Sequence, residues 1–340
     1  MNPRFLLISG FRCVLALASV GLLGALTGCV HVDHFAKGAD VGWLSEMEAK
    51  GLVFRDAHGT PQDCLRILQD TGMNSIRLRV WVNPAGGWCG QQDVVAMAVR
   101  AQRLGYRIMI DFHYSDYWAD PGKQNKPQAW VGHDLAQLQA DVAEHTHTVL
   151  SALQVAGVTP EWVQVGNEIE HGLLWEEGRS TRMANFAALL TSGSRAVKAV
   201  FPEAKVIVHL SNGYDDAQFR AIFDGLQARG TPYDVIGISL YPHPDNWVDY
   251  NTRCLATMND MVARYGKELL ITEVGMEVTQ ERAARDFLAD IIRKTRSVPG
   301  GKGLGVFYWE PECHDWHGYN MGAFTKDGRP TLALSAFKSE

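Results

Sequence analysis

The sequence predicts an α/β fold, a single (β/α)8 TIM barrel built from residues 36–340. Short runs rich in Val and Ile alternate eight times with segments of helical period, which is the pattern of parallel βαβ units. The chain has 340 residues, enough for a barrel of about 250 residues. A doubly wound open sheet is the alternative, but its glycine-rich phosphate turn does not follow the first predicted strand.

Eight strands are predicted, each ending in polar or aromatic residues. They cover residues 36–42, 75–81, 106–112, 162–167, 204–210, 234–241, 268–274 and 303–309. Helices are predicted near 61–71, 91–104, 134–156, 181–200, 215–229, 251–265, 279–296 and 331–338. Gly or Pro separates many of these segments. Because no low-complexity linker interrupts them, we expect one domain.

The first 28 residues are typical of a bacterial lipoprotein signal peptide. Arg4 and Arg12 precede an uncharged, mostly apolar run that is too short to span a bilayer of about 30 Å. The sequence LTGC then ends at Cys29, which resembles a lipobox. We therefore expect a lipid on Cys29, a short tether over 29–35, and an exported protein anchored at the cell surface or periplasmic face. A simple signal peptide with a chance cysteine is the alternative.

The composition restricts the partners. The formal net charge is −6 and no basic stripe is visible, so a nucleic-acid partner is not expected. An acidic polymer would be repelled, which favours a neutral substrate. We expect a monomer. In an oxidising compartment, four cysteines of the mature chain allow zero, one or two disulfides: Cys64, Cys89, Cys254 and Cys313.

Polar and aromatic side chains stand at the predicted carboxyl ends of all eight strands. Active sites of (β/α)8 barrels lie at this end. In strand order the candidates are Asp40; Arg79 and Trp81; Asp111 and His113; Asn167 and Glu168; His209; Ser239 and Tyr241; Glu273; Trp309 and Glu310.

Glu168 and Glu273 end strands 4 and 7, which face one another across the mouth of a small barrel. Two carboxylates that flank one bond can hydrolyse a glycoside; they lie about 5–5.5 Å apart in retaining enzymes and about 6.5–9.5 Å apart in inverting ones. The nucleophile is helped by a nearby cation, for which Arg79 is the candidate. Burial and the charge of the partner keep the acid protonated. Asn167 can donate a hydrogen bond to the neighbouring sugar hydroxyl.

Tryptophans supply flat surfaces for the apolar faces of sugars. Trp309 is the strongest candidate for such a contact. Others fall in or beside the predicted strand-to-helix loops, at Trp43, Trp81, Trp88, Trp118, Trp130, Trp175, Trp247 and Trp316.

The segment HYSDYWADPGKQNKPQAW (113–130) resembles glycoside hydrolase family 53, the endo-β-1,4-galactanases that cut galactan chains of type I arabinogalactan and pectin. The similarity covers about residues 37–338. Further matching segments are 38–51, 76–84, 163–175, 234–242, 271–275 and 305–311.

The resemblance implies that Glu168 is the acid/base and Glu273 the nucleophile of a retaining double displacement, with no required cofactor. It also implies a set of residues around the cleaved bond: Arg79, His113, Asn167, Tyr241 and Trp309. We add Asp40 and Trp118, from the strand-end and tryptophan sets, as substrate-binding candidates.

The chain departs from the family pattern at Glu170 and His171, which we interpret as a loop that touches substrate or solvent. It also departs in the segment 312–324. Some bacterial relatives hold a structural calcium in this last loop, where Asp315 and Asn320 are possible oxygen ligands.

Three alternatives remain open. A metallohydrolase would use His113, His171 and His209, although these stand singly rather than in a tight cluster. A non-catalytic surface lipoprotein would bind glycans without two opposed carboxylates. A related retaining barrel glycosidase would share both glutamates but cut mannan or cellulose.

Overall fold

Eight parallel strands form the centre of the protein in a computed structural model, which describes residues 34–338. They are β1 (Ala36–Asp40), β2 (Ser75–Val80), β3 (Arg107–Phe112), β4 (Trp162–Val165), β5 (Lys205–Leu210), β6 (Val235–Leu240), β7 (Glu268–Val274) and β8 (Gly303–Trp309). Each strand pairs with its neighbour in the chain, and β8 pairs with β1, so the sheet closes. The predicted (β/α)8 barrel is confirmed and the open sheet is excluded.

Within residues 34–338, eight α-helices surround the barrel. They are α1 (Leu44–Ala49), α2 (Cys64–Asp70), α3 (Gln91–Arg103), α4 (Leu135–Val155), α5 (Met183–Val200), α6 (Asp216–Gln227), α7 (Trp247–Tyr265) and α8 (Glu281–Arg296). Two of them, α1 and α2, lie between β1 and β2. The sequence does not predict α1 because six residues are too few to display a helical period. The predicted last helix is a 3₁₀ helix, Leu332–Phe337, which packs on α8.

Local signals explain several helix boundaries. The Asp63 carboxylate accepts hydrogen bonds from two backbone N–H groups in the first turn of α2. Asp134 and Gln137 form a reciprocal capping box at the start of α4. Gly266 ends α7 with φ of 63°, a left-handed conformation that glycine adopts without steric cost.

The interior of the barrel changes from apolar to polar along the strands. An apolar cluster fills the interior near the amino ends of the strands: Ala36, Met109, Trp162, Ile207, Val235, Leu270 and Phe307. Side chains two residues apart lie on the same face of a strand. The next inward positions on β3, β4 and β5 are therefore Asp111, Gln164 and His209, all fully buried. These three side chains form a polar layer of the interior, next to the carboxyl ends of the strands.

Two further expectations concern the ends of the chain and its cysteines. The predicted signal peptide (1–28), the lipidation site Cys29 and most of the tether lie outside the described residues. Among residues 34–338, no helix is long and apolar enough to cross a membrane. The four cysteines (Cys64, Cys89, Cys254 and Cys313) are buried and unpaired, so the structure has the disulfide-free arrangement of those that the sequence allows.

Candidate active site

Arg77 is the centre of the polar network at the mouth of the barrel. Its Nη1 lies 2.6 Å from Asp40 Oδ2 and 2.9 Å from Glu273 Oε1. Its Nη2 lies 2.8 Å from Asp111 Oδ2 and 2.9 Å from Asn167 Oδ1. The guanidinium is fully buried. One cation therefore fixes three carboxylates and one amide that come from four different strands or strand ends.

The expectation that Arg79 lies beside Glu273 is wrong, because that position belongs to Arg77. Arg79 forms a buried ion pair with Glu310 and lies 3.4 Å from Asp40. Sequence reasoning misses Arg77 because it precedes the strand end. The two-residue period of β2 places both arginines on one face, so it makes Arg77 a candidate beside Arg79 without separating the two.

The guanidinium of Arg79 supports an aromatic cluster. Its central carbon lies 4.4 Å from the ring centre of Trp118, within the range of cation–π contacts. Three further rings surround it at 5.1–5.9 Å, those of Trp43, Trp81 and Trp309. Because Arg79 is buried beneath these rings, it positions them; its predicted contact with substrate stays a prediction.

A β-bulge turns Glu273 towards the barrel interior. The register between β6 and β7 shifts, so that Ile238 pairs with Ile271 but Ser239 pairs with Glu273. Without the extra residue Thr272, strict alternation would place Glu273 on the outer face. The bulge therefore brings its carboxylate to Arg77.

Glu273 is held at both carboxylate oxygens. Arg77 binds Oε1, and the Tyr241 hydroxyl donates a hydrogen bond to Oε2 at 2.9 Å. Burial raises the pKa of Glu273 to about 7, and the positive charge of Arg77 opposes that shift. A carboxylate with a cation on one oxygen and a donor on the other can be ionised near neutral pH despite its burial.

Glu168 has the opposite electrostatic environment. Burial raises its pKa well above the ordinary value, and the negative charge of Glu273 raises it further. A hydrogen bond from Ser239 opposes the shift only in part. Of the two carboxyl groups, Glu168 therefore keeps its proton when Glu273 has lost its own.

Asn167 is oriented by its surroundings. Its Oδ1 accepts hydrogen bonds from Arg77 and Gln164, at 2.9 and 3.1 Å. Its Nδ2 donates to the carbonyl oxygen of Ala119 at 2.9 Å. The second N–H of this amide has no acceptor among the described residues, and it is the one available to a substrate hydroxyl.

The ring nitrogens of His113 are both occupied within the protein. Nδ1 accepts hydrogen bonds from Trp81 Nε1 and from the Ala119 backbone N–H, at 3.3 and 3.1 Å. Nε2 therefore carries the proton and lies 3.0 Å from Asp111 Oδ2. His113 consequently holds Trp81 and the β3–α4 loop, and its predicted contact with a sugar stays a prediction.

The three histidines of the metallohydrolase alternative do not form a metal site. His209 is also occupied, by Ser239 at 2.8 Å and Asn167 at 3.0 Å, and burial lowers its pKa well below the usual value. His171 is exposed. No group of metal-type ligands among residues 34–338 includes these histidines.

One group of potential metal ligands occurs in the described part of the chain, formed by Glu310, Glu312 and Cys313. Glu310 already accepts hydrogen bonds from the Gly42 and Trp43 backbone N–H groups and pairs with Arg79. A cation would have to compete with that arginine. The predicted calcium ligands Asp315 and Asn320 are exposed and lie outside this group; calcium binding there stays a prediction.

An aromatic cavity of about 600 Å³ opens beside this network. Five rings contribute to its walls: Trp43, Trp81, Trp88, Tyr117 and Trp118. The Tyr117 ring, which sequence reasoning misses, is 61% exposed. Trp309 packs edge to face against Trp43, with ring centres 5.1 Å apart. Flat rings around a cavity of this size suit several sugar units.

Other predicted tryptophans lie elsewhere. Trp130 is buried against His145 and belongs to the core. Trp247 begins α7. Trp175 lies under the guanidinium of Arg179 at 4.1 Å.

Glu170 is buried rather than exposed to solvent. It is 3% exposed, and its carboxylate accepts hydrogen bonds from the backbone N–H and the hydroxyl of Ser211. Burial excludes the solvent contact for Glu170, whereas its contact with substrate stays a prediction; His171 is exposed. Glu170 connects the loop after β4 to the end of β5.

A pair of carboxyl groups with unequal proton affinity, the buried Glu273 and the half-buried Glu168, lies beside an aromatic cavity at the carboxyl end of a (β/α)8 barrel, which is the arrangement expected of a glycoside hydrolase. The chain belongs to glycosyl hydrolase family 53, whose family model matches residues 36–286. The resemblance seen in the sequence is thus confirmed.

Known proteins support this assignment. The chain is 34% identical over 348 residues to the "Uncharacterized protein in bgaB 5'region" of Niallia circulans, covering 90% of this chain and 94% of that protein. It is 31% identical over 329 residues to an arabinogalactan endo-β-1,4-galactanase of Thermothelomyces thermophilus, covering 88% and 98%. A fungal β-1,4-galactanase structure superposes with a TM-score of 0.84 at 29% identity, covering 90% and 99%.

Proposed function

We propose that the protein is a retaining endo-β-1,4-galactanase that hydrolyses the galactan chains of type I arabinogalactan and pectin. The observation that carries the proposal is the unequal pair Glu168 and Glu273. Arg77 and Tyr241 bind the two oxygens of Glu273 directly, whereas burial and the charge of Glu273 raise the pKa of Glu168 more than Ser239 and Arg77 lower it.

In the first step, the Glu273 carboxylate attacks the anomeric carbon and forms an ester bond to the sugar. Glu168 gives its proton to the glycosidic oxygen, so the leaving chain departs as an alcohol. The charge of Glu273 disappears in this ester, which removes one cause of the raised pKa of Glu168. Glu168 can then take a proton from water, whose oxygen attacks the anomeric carbon and releases Glu273.

The remaining N–H of Asn167 is proposed to donate to the hydroxyl adjacent to the reacting carbon. Its Oδ1 is fixed by Arg77 and Gln164, so the amide needs no reorganisation when the transition state forms. Such a contact strengthens as positive charge develops on the sugar ring.

The aromatic cavity supports action within a chain rather than only at its end. Its volume of about 600 Å³ exceeds what one sugar requires, and Tyr117 extends its wall into solvent. Asp116 and Glu46 also line it, which suits a neutral polymer better than an acidic one. The choice of galactan follows the names of the relatives.

A single assay tests the proposal. The purified protein is incubated with potato galactan, mannan and cellulose, and new reducing ends and the anomer first released are measured. Release of β-configured galacto-oligosaccharides from galactan alone is expected. Cleavage of mannan or cellulose instead would favour the related barrel glycosidase. Tight galactan binding without cleavage would favour the glycan-binding lipoprotein. The assay is repeated after exhaustive chelation, and loss of activity there would favour a metal-dependent enzyme.

We further propose that the enzyme is exported and held on a bacterial membrane by a lipid on Cys29, acting as a monomer at the cell surface or periplasmic face. The LTGC sequence after an apolar run supports this proposal. Mass spectrometry of the native N-terminus tests it: a diacylglyceryl cysteine is expected, and an unmodified residue would exclude the anchor.

A further inference from the structure

The backbone around Glu168 has an unusual conformation. Gly166 and Glu168 both have positive φ values, 88° and 47°. Glycine adopts such values freely, but a residue with a side chain rarely does. A left-handed glutamate therefore persists only where its surroundings determine it. The structure must contain contacts that hold this turn.

Gln124 supplies contacts of this kind from the β3–α4 loop. Its Nε2 donates to the carbonyl oxygen of Asn167 at 2.8 Å and reaches that of Glu168 at 3.3 Å. The same nitrogen lies 3.2 Å from the carbonyl oxygen of Asp120. The residue is 2% exposed, so water does not compete for these carbonyl groups.

Gln124 also holds the far end of the loop that carries Glu168. Its backbone carbonyl accepts a hydrogen bond from the Trp175 N–H at 2.9 Å. One residue thus contacts both ends of segment 167–175. The neighbouring contact between Asn167 Nδ2 and the Ala119 carbonyl comes from the same β3–α4 loop. This loop therefore braces the end of β4 on the side of the acid/base.

We infer that Gln124 is a positioning residue for Glu168, aiming its carboxyl group at the oxygen of the leaving sugar. The inference rests on the proposed acid/base role of Glu168. The amide of Gln124 acts through the backbone, because it fixes the carbonyl groups of residues 167 and 168. These carbonyl groups in turn determine the direction of the Glu168 side chain. A small misplacement of a proton donor costs turnover.

If only proton donation is impaired, the loss of kcat/KM is large for a poor leaving group and small for a good one. A general structural defect lowers kcat/KM for both. Gln124→Met keeps the length of the side chain and removes its N–H donors. Gln128→Met is the matched control, because Gln128 lies exposed on the same loop. The kcat/KM values are compared for aryl β-1,4-galactobiosides with a poor leaving group (phenol) and a good one (2,4-dinitrophenol).

For Gln124→Met we expect kcat/KM to fall about tenfold or more on the phenyl substrate. On the dinitrophenyl substrate, whose departure needs no proton, we expect kcat/KM to stay within about threefold. Azide should raise the turnover of the dinitrophenyl substrate by Gln124→Met, because azide replaces water in the second step. Gln128→Met should match the unmodified protein on both substrates. Equal losses on the two substrates, or no loss on either, would overturn the inference.

A second variant covers the case in which Gln124→Met does not fold, as judged by thermal unfolding. Gln124→Ala also removes the N–H donors, and it places no apolar side chain against the two carbonyl groups. The same selective loss on the phenyl substrate is expected, and full activity there would overturn the inference. Glu168→Ala run in parallel separates the two proposals: if it shows no leaving-group dependence, the acid/base assignment itself fails.

Discussion

Arg77 Nη1 lies 2.9 Å from Glu273 Oε1, inside a barrel that buries both side chains. The same guanidinium contacts Asp40 and Asp111, so one positive charge is shared among three carboxylates. Because the two aspartates are negative, they raise the pKa of Glu273 while Arg77 lowers it. Arg77 therefore determines both the position of the proposed nucleophile and the pH at which it ionises.

Arg77→Met should lower kcat/KM by orders of magnitude and shift its acidic limb to higher pH, since the cation that favours ionised Glu273 is gone. Stability should also fall, by about 3–5 kcal/mol, because buried carboxylates lose their partner. Enzyme assays across pH and urea unfolding measure the two effects. Arg66→Met, at an exposed position on α2, serves as the control. An unchanged acidic limb would contradict this account of Glu273.

The sequence predicts the barrel well because period and length are local properties. All eight strands lie within their predicted ranges, and Glu168 and Glu273 are brought to the same end of the barrel. The sequence predicts that Glu273 lies at the end of its strand, but it does not predict which way the side chain points. Its inward direction depends on the bulge at Thr272, which strict alternation does not reveal.

Other features depend on contacts between distant segments. Which arginine contacts Glu273 depends on Asp40, Asp111 and Glu310, which lie on other strands or at their ends. Nothing in the neighbouring sequence distinguishes these arginines. The burial of Glu170 likewise depends on Ser211 at the end of β5.

Glu168→Ala and Glu273→Ala should each lower galactan turnover by at least about a hundredfold, without unfolding the barrel. They should differ in rescue. Azide can replace water on the glycosyl-enzyme formed by Glu168→Ala from a dinitrophenyl galactoside, giving a β-galactosyl azide. For Glu273→Ala, azide can act only as a substitute nucleophile and should give the α-azide. NMR of the products measures the configuration, and the same anomer from both variants would contradict the assigned roles.

Glu170→Ala should not be a mild change, although Glu170 lies outside the proposed chemistry. Removing its carboxylate leaves the N–H and hydroxyl of Ser211 without their acceptor in a buried place, a loss of about 1–3 kcal/mol. Thermal unfolding measures this loss. The double variant with Ser211→Ala should lose less than the sum of the two single variants. Additive losses would show that the contact contributes little.

Glu312 should make the protein less stable as pH rises. Burial raises its pKa well above the usual 4.5, and the charge of Glu310 raises it further. The folded protein therefore holds this proton more tightly than the unfolded chain does. The resulting stability is complete below the unfolded pKa and is lost as pH rises through the folded pKa.

Glu312→Gln removes this titration with a side chain of the same size. The free energy of unfolding of the variant should fall less between about pH 5 and about pH 9 than that of the unmodified protein. Urea unfolding at several pH values measures the difference. Glu203→Gln, at an exposed position, should leave the pH dependence unchanged. A steeper loss in Glu312→Gln would contradict the assigned sign.

Tyr117 should affect long substrates more than short ones. Its ring is 61% exposed on the wall of the aromatic cavity and packs against Trp81, with ring centres 5.3 Å apart. Tyr117→Ala removes a stacking surface without opening the core, so the barrel should keep its stability. Contacts of this kind contribute about 0.5–1.5 kcal/mol, so KM for a long galacto-oligosaccharide should rise roughly two- to tenfold. Kinetics with galactotriose and galactohexaose measure the effect, and Val131→Ala, another exposed position, is the control. A rise in KM that is the same for both lengths would place Tyr117 at the cleaved bond instead of at a more distant sugar.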